Sequence, residues 1–464
     1  MSHEIERLLS RAELENAGSA SKTQGRLSTG AGAAAASVGE GIEKSRGEGS
    51  ETKVDVDQDS SDNVSVEGDE SEEPVPGVDA ELEEGVGEAV SDGGGTAAGT
   101  APTPRGAGRW PEPVDAGDRG VVLPESHAAV REAVQEASAI RVCLVTWNMH
   151  GKDPPPSLEG FLPTNVYHLV AVCTQECQNS IAKSMVFTSK AKWEALMDRT
   201  LGKHYVRIRS HTLQAINMLL FAHAAILPWV SDVQSQAVAT GVAGKLGNKG
   251  GIGVCLRVGT TSLLFVGAHF AAHQNRVAKR NSNYAAIEQG IRIPITASTA
   301  PLEGQSRASD RFDRCFWFGD LNYRVNGTRR AIDACLAADF HEVLWHNDQL
   351  QREMRRGAVF PGFVEGPVTF RPTYKLDAGT LNYDSSRKQR VPSWTDRVLY
   401  RPTGATLLSY VANADVRHSD HLPVLASFAV EVALPDQVGP TELSRGRSEV
   451  EWRGQKQSEV CAVQ

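Results

Sequence analysis

Asp320 and Asn322 close the run Phe316-Trp317-Phe318-Gly319-Asp320-Leu321-Asn322-Tyr323-Arg324. On an extended backbone the two fall on one side and Leu321 on the other. A carboxylate beside a carboxamide can hold and polarise a water molecule or a metal-bound oxygen. The same pair also suits a polar turn, because Asp and Asn both favour turns. Asn148, Glu176, His269, Asp396 and the Asp420-His421 pair likewise stand at the ends of apolar runs. Each has a plain reading: a turn before Gly151, a solvated carboxylate, a satisfied core histidine, a local ion pair of Asp396 with Arg397. As a set they supply hard oxygen ligands suited to Mg²⁺, which binds through few carboxylates and keeps waters for a phosphate to displace. They also supply histidines able to donate to phosphate oxygens. Acyl transfer is disfavoured, since the sequence has no Gly-x-Ser-x-Gly elbow.

Such residues act together only if strand ends converge on one edge. Strands are predicted over 141–146, 167–174, 218–226, 251–257, 262–268, 315–318, 397–400 and 424–430. Helices are predicted over 124–138, 191–201, 276–292 and 348–356, the last capped by Gly357. Apolar strands interleaved with helices imply an α/β fold of stacked sheets covered by helices. One domain is expected over 140–432, preceded by a linker at 116–139 and followed by a flexible tail at 433–464.

The chain has 464 residues and a formal net charge of −9, with much of the acid between Glu51 and Glu84. Residues 1–115 hold few large apolar side chains and are expected to be disordered, because they cannot bury enough surface to offset their ordering entropy. The first residues show no secretory leader, and no apolar run is long enough to cross a bilayer. Seven scattered cysteines read as reduced thiols of a cytoplasmic protein. Cys173 and Cys177 lack a second pair with zinc-site spacing. Cys461-Ala462-Val463-Gln464 has the Cys-a-a-X form, and its final Gln favours farnesyl. Residues 442–460 read as a flexible spacer with balanced charges.

Seven segments carry a resemblance. Trp147-Asn148, Gln175-Glu176, Gly247-Asn248-Lys249-Gly250-Gly251, His269-Phe270-Ala271-Ala272-His273, Gly319 to Arg324, Pro392-Ser393-Trp394-Thr395-Asp396-Arg397 and Ser419-Asp420-His421 resemble, in order, the motif series of inositol polyphosphate 5-phosphatases. Pro154-Pro155-Pro156-Ser157-Leu158, His346-Asn347-Asp348-Gln349-Leu350 and Lys388 to Ser393 resemble its type IV, pharbin-like branch. The resemblance implies a four-layer β-sandwich flanked by helices, as in deoxyribonuclease-like endonucleases. It implies hydrolysis of the 5-phosphate of phosphoinositides with Mg²⁺ as cofactor. Glu176 would bind the metal, with Asn148 and Asp420 close by. Asp320 would accept the proton of the attacking water, and Asn322 would fix that water or a phosphate oxygen. His421, oriented by Asp396, would stabilise the transferring phosphoryl group, and His269 would donate to a phosphate oxygen.

Arg371-Pro372-Thr373-Tyr374-Lys375 matches the family's motif for a 4-phosphate. Tyr374, Lys375, Lys388, Arg390, Asn248 and Lys249 are the implied substrate contacts. Leu422 departs from the pattern, replacing a usual Lys or Arg, while Thr395 stands for the family's frequent Cys as it does in the type IV branch. A nuclease would share the catalytic residues but show a long basic surface for the duplex backbone. The basic residues here are dispersed, so no nucleic-acid partner is expected. A non-catalytic binding module would be expected to lack Glu176, Asp320 or His421, and all are present. The resemblance further implies a monomer acting on phosphoinositide lipids at a membrane surface. It would be held peripherally by a farnesyl group on Cys461, carried by a prenyl-binding chaperone, and directed to a cilium or the Golgi.

Overall fold

A computed structural model describes residues 121–177, 190–241, 248–294 and 307–435, and the backbone of 458–461. The acidic tail at 1–115, Gly247 and residues 442–457 of the spacer lie outside the described residues. Helix α1 (His127–Ala137) leads into two parallel strands, β1 (Ala139–Asn148) and β2 (Leu169–Gln175). Helix α2 (Ala191–Leu201) precedes the hairpin of β3 (Tyr205–Leu213) and β4 (Ile216–His223). Then come β5 (Val230–Ala239), β6 (Gly250–Val258), β7 (Thr261–His269), α3 (Val277–Gly290) and β8 (Arg314–Asp320). Three short helices follow, α4 (Arg329–Ala337), α5 (His341–His346) and α6 (Gln349–Arg355). The remaining strands are β9 (Val364–Glu365), β10 (Asp396–Tyr400), β11 (Ala405–Ala412), β12 (Val424–Glu431) and β13 (Ser458–Cys461).

The strands form two sheets, ordered β11-β12-β1-β2-β4-β3-β13 and β5-β6-β7-β8-β10-β9. Alternation explains why the central strands read as unbroken apolar runs. Val142 and Leu144 of β1 enter the core between the sheets, while Cys143, Val145 and Trp147 enter a second core beneath α2, with Trp193. A strand buried on both faces has no polar face to display. Tyr284 and Ile287 of α3 cover the outer face of the other sheet. Between the sheets, Phe316 stacks on Phe265 at 5.4 Å and meets Phe428 at 5.1 Å. Burying each such ring is worth about 2–3 kcal/mol.

The expected helices over 124–138, 191–201, 276–292 and 348–356 are present within a few residues of those bounds, and Gly357 follows α6 with a φ of 70°. Strands β3, β5 and β11 and helices α4 and α5 are additional. β5 mixes polar with apolar residues because it is an edge strand and buries less of each face, whereas β3 carries arginine, serine, histidine and threonine within a largely buried strand. The strand expected over 218–226 ends instead at His223, where a 3-10 turn holding Pro228 begins. The tail is not wholly a spacer either. Ala433 is still tied to the domain, its carbonyl accepting from Thr260 N at 2.9 Å. Residues 458–461 add a parallel strand beside β3, pairing Cys461 with Leu213.

Candidate active site

The C-terminal ends of β1, β2, β7 and β8 lie at one pole of the sandwich, where β10 begins. The register aligns Asn148 with Gln175 in one sheet, and His269 and Asp396 with Asp320 in the other. Gly319 makes the last step possible. Its φ is 147°, and a Cβ there would meet Ala268 O at 2.0 Å, so only glycine permits this closeness. Site residues themselves take left-handed backbone conformations, His150 with φ 52°, Glu176 with φ 51° and Asn322 with φ 57°. Such strain collects where the surroundings over-determine geometry for function.

Asn148 Nδ2 donates to Asp320 Oδ2 at 3.0 Å, joining the two sheets across the site. Asp320 Oδ1 accepts from the N–H of Asn322 at 3.0 Å, and Asn322 Nδ2 donates to Phe270 O at 3.1 Å. Nε2 of the buried His269 lies 3.2 Å from Asp320 Oδ2, 3.9 Å from Glu176 Oε1 and 2.5 Å from Lys249 Nζ. A nitrogen carrying hydrogen can serve the carboxylates but not the ammonium. Burial, then Lys249, hold the His269 imidazole below its usual pKa. Burial likewise lowers Lys249, against the pull of Glu176 and Asp320. For Asp320 burial favours the neutral acid, yet the His269 hydrogen bond and the charges of His421 and Lys249 outweigh it, keeping the carboxylate ionised.

His421 Nδ1 lies 2.9 Å from Asp396 Oδ2, which also accepts from Thr373 Oγ1 at 2.7 Å and Thr395 Oγ1 at 2.9 Å. Trp147 Nε1 fixes the backbone by donating to His421 O at 3.1 Å. Burial alone would lower the His421 pKa, but Asp396, then Asp420 and Asp320, raise it to about 10. The ring is therefore an imidazolium at neutral pH.

Lys375 Nζ and His150 Nδ1 both face Asp420 Oδ2, at 3.6 Å and 3.3 Å. Asp420 thus gathers nitrogen donors from two loops. The Tyr374 ring leans on His421, with centroids 4.6 Å apart. Lys388 is exposed and Arg390 partly buried, on a loop whose Asp384 accepts from Arg390 N and donates its own N–H to Lys375 O. That roots the loop beside Lys375. Asn248 Oδ1 is buried and has no hydrogen-bond partner among the described residues. Leu422 is buried, its N–H donating to Thr373 O at 3.1 Å. The backbone of Cys461 lies on β13, paired with Leu213. The local pair weighed for Asp396 and Arg397 does not form: Arg397 bonds Asp348 at 3.0 Å and Glu365 at 2.6 Å.

Asp320, Asp396 and His421 each offer an atom within 4.8 Å of the other two, but Asp396 Oδ2 is already shared by His421 and two threonines. The freer donors are Glu176 and Asn148. The Glu176 carboxylate makes no hydrogen bond among the described residues. Among the described residues Asn148 Oδ1 accepts from His150 N alone, at 3.0 Å. Hard oxygens with spare lone pairs beside an ionised Asp320 fit a hard divalent cation. Sequence reasoning missed His150, Thr373 and Arg324 as parts of the site. Arg324 lay within a recognised motif, whereas nothing in the spacing of His150 tied it to Asp420.

A family model described as Endonuclease/Exonuclease/phosphatase family 2 matches residues 145–427, and the two-sheet fold with its polar pole has that class of protein's form. The chain is 37% identical over 310 residues to phosphatidylinositol polyphosphate 5-phosphatase type IV of Homo sapiens, covering 63% of this chain and 46% of that protein. It is 31% identical over 370 residues to phosphatidylinositol 4,5-bisphosphate 5-phosphatase A of Mus musculus, covering 72% of this chain and 36% of that one. It therefore spans less than half the length of either relative. Among solved structures it is similar to the inositol polyphosphate 5-phosphatase domain of SpSynaptojanin in complex with inositol (1,4)-bisphosphate and calcium ion. That match has a TM-score of 0.56 and 30% identity, covering 68% of this chain and 93% of that one. The chain belongs to the inositol polyphosphate 5-phosphatase family and is most like its type IV members.

Proposed function

We propose that this chain is a Mg²⁺-dependent phosphomonoesterase that removes the 5-phosphate of phosphoinositides. Its substrates are those carrying a 4-phosphate, the 4,5-bisphosphate and the 3,4,5-trisphosphate. The observation that carries this reading is the ionised Asp320 set against the His421 imidazolium, beside Lys375. Asp320 accepts the proton of a water attacking in line, and Asn322 holds that water or a phosphate oxygen. His421, held as imidazolium by Asp396, stabilises charge on the phosphoryl oxygens. His269 and Lys249 face the same oxygens. Glu176 and Asn148, with Asp420 nearby, would hold Mg²⁺, which supplies Lewis-acid polarisation and orientation. The inositol bisphosphate and calcium of the SpSynaptojanin structure support both substrate class and divalent ion.

Lys375, with Tyr374, Lys388, Arg390 and Asn248, would grip the rest of the headgroup. A farnesyl on Cys461 would make this a peripheral membrane protein of a cilium or the Golgi, with a prenyl-binding chaperone as carrier. No helix among the described residues is long and apolar enough to cross a membrane. The test is phosphate release from phosphoinositide vesicles against cleavage of abasic DNA, with Mg²⁺ and with EDTA. Release from the lipid that EDTA abolishes is expected; undiminished activity in EDTA, or cleavage of DNA alone, overturns the reading. Membrane attachment is tested apart, by fractionating wild type and Cys461→Ser. Equal partition, with Cys461 unmodified by mass spectrometry, removes the anchor.

A further inference from the structure

Arg324 is 5% exposed. Among the described residues no carboxylate lies within ion-pair distance of its guanidinium. Nε donates to Asn322 O at 3.1 Å, and Nη2 donates to Asn322 Oδ1. Both acceptors are neutral. The guanidinium lies over the Tyr374 ring, 4.2 Å from its centroid, which compensates in part. Nη1 bonds no protein atom among the described residues. A buried cation without an anionic partner is costly, and the contrast within this domain is sharp. Arg397, at 0% exposure, holds two carboxylates, and Arg280, also at 0%, has both terminal nitrogens bonded to carbonyl oxygens, whereas among the described residues Arg324 holds no carboxylate and its Nη1 no acceptor.

The position of Arg324 indicates what completes it. It bonds the side chain of Asn322, whose N–H is fixed on Asp320. It shares the Tyr374 ring with His421. Its charge also reaches Lys249, where it adds to burial in lowering that pKa. The backbone is fixed as well: Arg324 N donates to Gln349 Oε1 at 2.9 Å, and Gln349 is held in turn by Arg280 at 2.6 Å. We propose that Arg324 is a phosphoryl-binding residue, its Nη1 edge taking an oxygen of the phosphoryl group under attack while Nη2 and Nε hold Asn322. A planar fork suits this double task, and charge spread over the phosphoryl oxygens in the transition state gives it a catalytic return.

The proposal rests on the phosphomonoesterase reading, and its test separates the two. Wild type, Arg324→Ala and Arg324→Lys of the full chain would be assayed for turnover with Mg²⁺. Their affinities for inorganic phosphate and orthovanadate would be measured by calorimetry. Arg324→Ala is expected to lower kcat by about 10²–10³-fold and to weaken both anions by about tenfold or more. Added methylguanidinium should restore part of both losses, and Arg324→Lys should fall between. Slower turnover with wild-type affinity for both anions, and no rescue, would make Arg324 a positioning residue for Asn322 and overturn the proposal. If Arg324→Ala does not fold, the anion affinities of Arg324→Lys decide by the same criterion. If wild type hydrolyses no phosphoinositide yet the substitution still weakens phosphate, the functional reading fails and the anion site stands.

Discussion

Replacing Asp396 by Asn removes one negative charge and little volume from a fully buried position, so its effect can be worked through. The Asp396 carboxylate is the strongest influence raising His421 to about 10, against burial. Without it burial faces only the weaker pull of Asp420 and Asp320, and the ring's pKa falls from that value. At about pH 7.5 the wild-type ring is almost fully protonated, whereas a ring returned to the free-imidazole value of about 6.5 would be about one-tenth protonated. Protonation alone therefore costs about tenfold. The amide adds a second loss, because it accepts from Thr373 and Thr395 and turns its NH₂ toward His421 Nδ1. An Asp→Asn change that reverses a histidine in this way costs up to about 10⁴ in other sites, so a total of about 10²–10⁴ is expected. The pH profile is the sharper readout. Wild type should lose activity on the alkaline side only as pH rises through about 10. The ratio of wild type to variant should therefore widen by about tenfold per pH unit above the variant's lowered pKa. Steady-state rates from pH ~6 to ~9, with ring titration by ¹⁵N NMR, would check this. A constant ratio across that range would show that Asp396 does not act through the charge of His421. The same shift has a stability consequence. A folded pKa above the unfolded one stabilises fully below about 6.5, and that contribution disappears as pH climbs through about 10.

Asp320→Asn should cut turnover by about 10³-fold or more while circular dichroism stays native; near-normal rates would remove Asp320 as the base. Because its carboxyl is held below 3.8 in the fold, the wild-type residue stabilises above the unfolded pKa and loses that contribution in acid, so the variant should show a shallower acid-unfolding curve. Lys375→Ala should raise KM about 10–100-fold for lipids with a 4-phosphate, and much less for a lipid without one; equal losses on both would dissociate Lys375 from that phosphate. Gly319→Ala should destabilise by about 3 kcal/mol or more, since its Cβ would meet Ala268 O at 2.0 Å. An unchanged urea midpoint would show that β7 and β8 separate freely.

Much of the architecture was legible because the strands carrying the site are central. β1, β2, β7 and β8 are buried on both faces and spell continuous apolar runs that end in their polar residues. β3 and β5 were not legible, because both intersperse polar residues and imitate loops, β5 as an edge strand. Within the site, Asp320 and Asn322 could be paired because alternation acts over two residues. Partnerships across the chain were less accessible. Asp420 meets His150 because β1 and β12 are antiparallel neighbours in one sheet, and it meets Lys375 from the loop that leads into β10 of the other, pairings that local spacing does not announce. Arg397 sits next to Asp396 but points away from it, into carboxylates from a helix cap and an edge strand.

The hydrogen bond from Asn148 to Asp320 has one end in each sheet. The spacing that it needs is set by the thickness of the aromatic filling between them, where Phe316 meets Phe265 and Phe428. Core and active site are thus two readings of a single gauge. A filling too thick or too thin by a methylene would open or crush the catalytic gap, in a fold still able to stand. Heat should do the same: inter-sheet slippage would disable the site before either sheet melts, so thermal inactivation would run ahead of unfolding. Drift in those phenylalanines is thereby policed by turnover as well as by stability, and a change in one is tolerated only when a partner across the gap restores the width.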